Sequence, residues 1–177
     1  MSTPVDTDQP LLNFSNCHIG IVAQLDRLNQ LPALLAPAEL ARKTAQQALE
    51  FFPKAVYQHH AEEEQELFPA VRASAHAGAE RLQVESMIDR LKAQHRELER
   101  LWEDLEPELR KVAKGQSTNL DSQKLFKLVD TYQAHARYEE SDFLPLSHTI
   151  LKRNDHHMAA LGLSLHLRHA PYIPSHI

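Results

Sequence analysis

The residues best suited to chemistry in this chain stand in two copies of one short pattern, His59-x3-Glu63 within VYQHHAEEEQELFP and His135-x3-Glu139 within YQAHARYEESDFLP. Four residues advance a helix by about 400°, so each histidine and its glutamate share one face, about 6 Å apart along the axis. A lone histidine precedes each copy, His18 and His95, and these two are 77 residues apart. Offsets of 76 residues relate His59 to His135, Glu63 to Glu139, Leu67 to Phe143, Phe68 to Leu144 and Pro69 to Pro145. The two halves read as one helical hairpin written twice. Their neighbours do not repeat, since His60 aligns with Ala136 and Glu62 with Tyr138. His60 and Glu64 are therefore read as rim or supporting residues, and Glu62, Gln65 and Glu66 as solvated.

Up to four imidazoles and two carboxylates facing one another in a helical core are expensive without compensation. An isolated buried charge costs several kcal/mol even after relaxation, and paired carboxylates repel or take up protons. Metal cations remove the difficulty, so His18, His59, Glu63, His95, His135 and Glu139 form the candidate ligand set. The competing reading is a metal-free bundle whose histidines hydrogen-bond to the carboxylates. Cys17 is the single cysteine, so no thiolate cluster exists for structural zinc or an iron–sulfur centre. His148, His156, His157, His166, His169 and His176 follow the repeat without a carboxylate pattern and read as exposed. Tyr132, one turn before His135, offers either a hydroxyl near the site or plain core packing.

The elements that must position these groups are helices. Ala, Leu, Glu, Gln, Lys and Arg abound and there are only four glycines, so the chain reads as all-α. A first helix is expected over residues 12–31, ending near Pro32, with Phe14, His18, Ile21, Leu25 and Leu28 on one stripe. A second starts near Pro37 and carries Leu40, Leu49, Phe52, Val56, His59, Glu63 and Leu67. After a break at residues 75–78, a third over 79–112 shows Leu82, Met87, Leu91, His95, Leu98 and Trp102. A fourth over 121–151 shows Leu125, Leu128, Tyr132, His135, Glu139 and Phe143. A short fifth helix follows Asn154 or Asp155. The expected architecture is an antiparallel up-down-up-down four-helix bundle within one chain, over residues 11–170, between a disordered lead-in (1–10) and a tail (171–177).

With 177 residues the chain suits one domain. The net charge of -5 shows no basic stripe for nucleic acid or an anionic membrane. No apolar run approaches a membrane span and no leader segment is visible, so a cytoplasmic protein is expected.

The segments CHIGIVAQL, HHAEEEQELFP, QHRELERLW and HARYEESDFLP together resemble the hemerythrin-like HHE cation-binding family, over roughly residues 11–167. The resemblance implies a four-helix bundle with a non-haem di-iron centre. Glu63 and Glu139 would bridge two Fe ions joined by an oxo or hydroxo group, with His18 and His59 on one and His95 and His135 on the other. Four imidazoles, two bridging carboxylates and that bridge fill about ten of about twelve positions in two octahedral shells, leaving roughly two open. Two departures stand out. Leu91 occupies the place of the fifth histidine of oxygen-carrying members, and Gln94 replaces the acidic residue common before the third-helix histidine.

Three functions follow as expectations. The first is a protein that binds O2 or NO at the iron pair as sensor, scavenger or store. The second is a di-iron enzyme that decomposes peroxide or reduces NO, or contributes to iron–sulfur cluster repair. The third is a metal-free interaction bundle.

Overall fold

The computed structural model describes residues 9–153, with side chains from Ile19 onward apart from Ala55. The lead-in of residues 1–8, the fifth helix expected after Asn154 and the tail lie outside the described residues. What is described is all-helical: α1 (Gln9–Pro53), α2 (His60–Glu62), α3 (Phe68–Ser74), α4 (Ala79–Ala113), α5 (Ser122–Tyr138) and α6 (Leu144–Leu151). Wide π-helical turns at Lys54–His59 and Glu63–Leu67 join α1, α2 and α3, and another at Glu139–Phe143 joins α5 to α6. The junction residues keep helical dihedrals, so the chain forms three rods, over residues 9–74, 79–113 and 122–151.

Two reversals separate the rods, and both are written locally. Ala75 is extended and Gly78 has a φ of 96°, a region in which a Cβ is strained. At the end of α4, Gln116 N–H donates to the Lys111 carbonyl and Gly115 N–H to that of Val112, around a Gly115 φ of 66°. This Schellman closure satisfies the last carbonyls of the helix. Asp121 then caps α5, its carboxylate accepting from the Gln123 and Lys124 N–H groups at 3.0 Å each.

The turn expected between Pro32 and Pro37 does not form. α1 runs through both prolines, so the first two expected helices are one rod and the described residues do not close a four-helix bundle within the chain. Local chemistry explains this. Residues 33–36 are Ala, Leu, Leu and Ala, strong helix formers with no Gly, Asn or Asp to set a reversal, and they compete with the roughly 3 kcal/mol that an interior proline costs.

α4 is the central rod. It packs against α1 on one side and α5 on the other, while the outer rods meet each other mainly through α3 and α6. Two apolar clusters result. One gathers Leu67, Phe68, Val71, Ile88, Leu91, Phe143 and Ile150; the other holds Leu98, Trp102, Leu105 and Leu128, with Phe52 stacked on Trp102 at 4.9 Å. His95 lies on α4 between Leu91 of the first cluster and Leu98 of the second. A polar layer thus separates two apolar plugs.

Among the described residues, the other half of α1 has no such partner. Every side chain from 19 to 41 is exposed, including Ile19, Ile21, Val22, Leu25, Leu28, Leu31, Leu34, Leu35 and Leu40. This corrects the expectation that the stripe through Ile21, Leu25 and Leu28 is core. Leu82, also expected in the core, is 68% exposed. Fully burying one such aliphatic stabilises by roughly 1.5–3 kcal/mol, so nine left about half in water forgo on the order of 10 kcal/mol. That equals the net stability of an ordinary domain.

Candidate metal centre

The π turns decide which side chains reach the polar layer. From His135 the buried line runs to Glu139, Phe143 and Ser147, three steps of four residues. On an α-helix each such step overshoots by about 40°, roughly 120° in all. The wide turn at Glu139–Phe143 takes up an extra residue and returns the line to the core. In the first rod the buried line is Val56, His60, Glu63 and Leu67, so His60 rather than His59 takes the fully inward position.

Two triads of donors meet there. Ligand atoms of His60, His95 and His135 lie within 4.8 Å of one another, as do those of His59, Glu63 and Glu139. The triads adjoin, with His95 Nε2 3.2 Å from Glu63 Oε2. Of the six residues expected from sequence, His59, Glu63, His95, His135 and Glu139 are brought together. His18 belongs to α1, and its side chain is outside the described residues.

The neighbours differ from expectation in two places. His60, expected at the rim, is 1% exposed and stacks on His95 at 3.9 Å with the rings 5° from parallel. Glu62, expected in solvent, is buried and accepts from the Gln58 amide at 3.1 Å. Duplication drew attention away from His60, whose counterpart is Ala136. The 4-3-4 spacing of Val56, His60, Glu63 and Leu67 was the signal that would have found it.

The outer contacts of the histidines fix what faces inward. His95 Nδ1 donates to Glu64 Oε1 at 2.9 Å, and Arg96 holds that carboxylate at 2.8 and 2.7 Å. His135 Nδ1 donates to Gln94 Oε1 at 3.2 Å. With the proton on Nδ1, each Nε2 presents a lone pair to the layer. His95 Nε2, His135 Nε2, Glu63 Oε2, Glu139 Oε1 and both ring nitrogens of His60 are buried without a hydrogen-bond partner. Acceptor facing acceptor at 3.2 Å, out of water, suits a cation between them.

Protonation agrees. Burial, reinforced by the charges of His95 and His135, lowers His60 to about 3, and burial with His95 lowers His135 to about 4, so both stay neutral as cation ligands must. Burial and the adjoining Glu63 raise the Glu139 carboxyl well above its ordinary value. Burial also raises Glu63, but its close contacts with His95 and Glu139 outweigh it and leave Glu63 ionised. The carboxyls thus share one proton, which a cation would displace. Tyr132 has its ring centroid 6.0 Å from His135 and 6.5 Å from His60, and burial followed by the charges of Glu63 and Glu139 keeps its phenol protonated.

Residues 10–147 match the hemerythrin HHE cation-binding domain. The chain belongs to that family. The hemerythrin HHE match spans both triads and all six residues expected from sequence. The chain is also similar to an uncharacterized protein of Haemophilus influenzae, 26% identical over 160 residues, which covers 86% of this chain and 90% of the relative. No solved structure matches it significantly. As a member of a cation-binding family, the chain presents a His/Glu cluster suited to metal. Among the described residues, no helix is long and apolar enough to cross a membrane.

Proposed function

We propose that this hemerythrin HHE protein holds two iron ions among His18, His59, Glu63, His95, His135 and Glu139, and binds a small diatomic, O2 or NO, as sensor, scavenger or store. The two adjoining triads, buried except at His59, with unpaired donor atoms on His60, His95, His135, Glu63 and Glu139, carry this reading. Imidazole and carboxylate without thiolate suit iron, and His60 adds a donor to the set. Iron held here supplies the open coordination positions and the electrons that O2 or NO chemistry needs. The chain's own groups do the rest. Glu64 and Gln94 orient His95 and His135, and the plugs around Phe68 and Trp102 keep bulk water from the layer. His59, with 43% of its side chain exposed and its Nε2 3.2 Å from Glu63, marks the accessible side.

That accessibility and the protonated phenol of Tyr132 support a second reading, an enzyme that decomposes peroxide or reduces NO, or assists iron–sulfur cluster repair. Metal content and the visible absorption of aerobically purified protein test the first proposal. Two irons per chain with a ligand-to-metal band are expected, and less than one iron per chain after growth in ample iron would refute it. Consumption of peroxide over many cycles favours the enzyme, whereas one stoichiometric reaction favours binding. We also place the protein in the cytoplasm, in keeping with its single cysteine.

A further inference from the structure

We propose that two copies of this chain exchange their first helical segments, residues 19–40 of each lying along the open side of the other's three rods. The bare stripe comes first. Among the described residues, 19–40 form a helix whose aliphatic side chains are all exposed, and the site-bearing rods leave Phe126 and Val129 exposed as well. The lengths agree, because 22 residues of helix rise about 33 Å and the wall from Ser122 through Phe143 is also 22 residues long.

Distance excludes the chain's own segment while the rod is unbroken. His18 and His59 lie 41 residues apart on one continuous helical path, about 60 Å, so a His18 that serves the site must come from elsewhere. A second copy meets the requirement by symmetry. Two rods laid antiparallel and crossed by a two-fold axis at residues 38 and 39, midway between His18 and His59, set each His18 level with the partner's His59. Each segment then lies antiparallel to the partner rod it covers, as the first two helices of an up-down bundle must, and the contact closes on itself. The hinge is of the kind that favours exchange: a short segment held by Pro32 and Pro37, with only Ala and Leu between them. The exchanged pair would contain two four-helix bundles. The placement of His18 rests on the di-iron reading; the exchange itself does not.

Light scattering on the eluting full-length chain at micromolar concentration tests the exchange without metal. Twice the 20.2 kDa of one chain is expected. Two glycines inserted between Leu34 and Leu35 should let the segment fold back and yield a monomer of unchanged helicity. A monomeric wild type overturns the proposal, whether its segment is folded back or is left open to proteolysis for a different partner. So does an insertion variant that stays dimeric, which would mark face-to-face packing without exchange.

Refolding His18→Ala and His95→Ala chains together with iron(II) tests the shared site. In a mixed exchanged pair one of the two sites has every ligand, so iron retention should reach about one quarter of wild type, with neither variant alone doing so. No rise on mixing, or full retention by His18→Ala alone, overturns the role of His18 in the partner's site. A wild type that binds two irons as a monomer sinks the exchange and leaves the di-iron reading standing; a dimer without iron does the reverse.

Discussion

Glu64 is not one of the candidate ligands, yet it accepts the His95 Nδ1 proton and is held by Arg96. An outer carboxylate of this kind raises the basicity of its histidine, and losing it typically costs 10–100-fold in metal affinity. Glu64→Gln should weaken iron binding by about that factor with helicity unchanged, measured by competition with a chelator; an unaltered affinity would reject the role. The same layer sets the pH response of the metal-free protein. The unfolded chain takes up protons near the ordinary histidine value of 6.5 that His60 and His135 refuse until about 3 and about 4, so stability falls as pH drops below 6.5. Glu139, raised in the fold, acts in the opposite sense: it keeps a proton the unfolded chain releases, so stability falls as pH rises toward its folded value. Two histidines outweigh one carboxyl below 6.5 and the carboxyl alone acts above it, so urea midpoints should peak near pH 6.5. A flat profile would mean that these groups are solvated. Duplication made Glu63, His95, His135 and Glu139 legible as inward residues. His60 was not, because repeat logic discounts a residue whose counterpart is Ala136.

At the scale of elements, what could be read from sequence tracks the range of the physics. Gly78, Gly115 and Asp121 act within a few residues, and the helix ends they set fall where glycine and capping chemistry put them. Asp121→Ala should therefore destabilise by about 1 kcal/mol, seen as a lower urea midpoint with an unchanged slope. No change would mean that packing alone starts α5. The π turns were illegible because a wide turn has no residue signature of its own. It arises where a buried line such as His135, Glu139, Phe143 and Ser147 outruns the α-helical period. The segment around Pro32 and Pro37 is ambiguous in the sequence for a related reason. Two prolines argue for a break and four Ala and Leu residues for continuation, and the local balance is close enough for tertiary contacts to decide it.

For the whole molecule, the polar layer between two apolar plugs is either a cation site or a self-sufficient polar network, and these alternatives predict opposite responses to one substitution. Iron at 100 times its dissociation constant stabilises by about 2.7 kcal/mol, which for a chain of this size raises Tm by roughly 5–10 °C. Calorimetry on iron-loaded, chelated and reloaded protein should show that rise and its reversal. His95→Leu separates the causes. His95 is fully buried between Leu91 and Leu98, faces Phe68 at 5.9 Å and has an unpaired Nε2, so in chelated protein a leucine there removes an orphaned polar atom and extends the apolar contact. The chelated variant should melt at or above the chelated wild type and lose its response to iron. If it melts lower, the imidazoles stabilise the fold through their own hydrogen bonds, and the layer is a polar network that needs no metal. The two curves cross only if the cluster is held in place for a cation, since the same histidine then costs stability in the empty protein and supplies it in the loaded one.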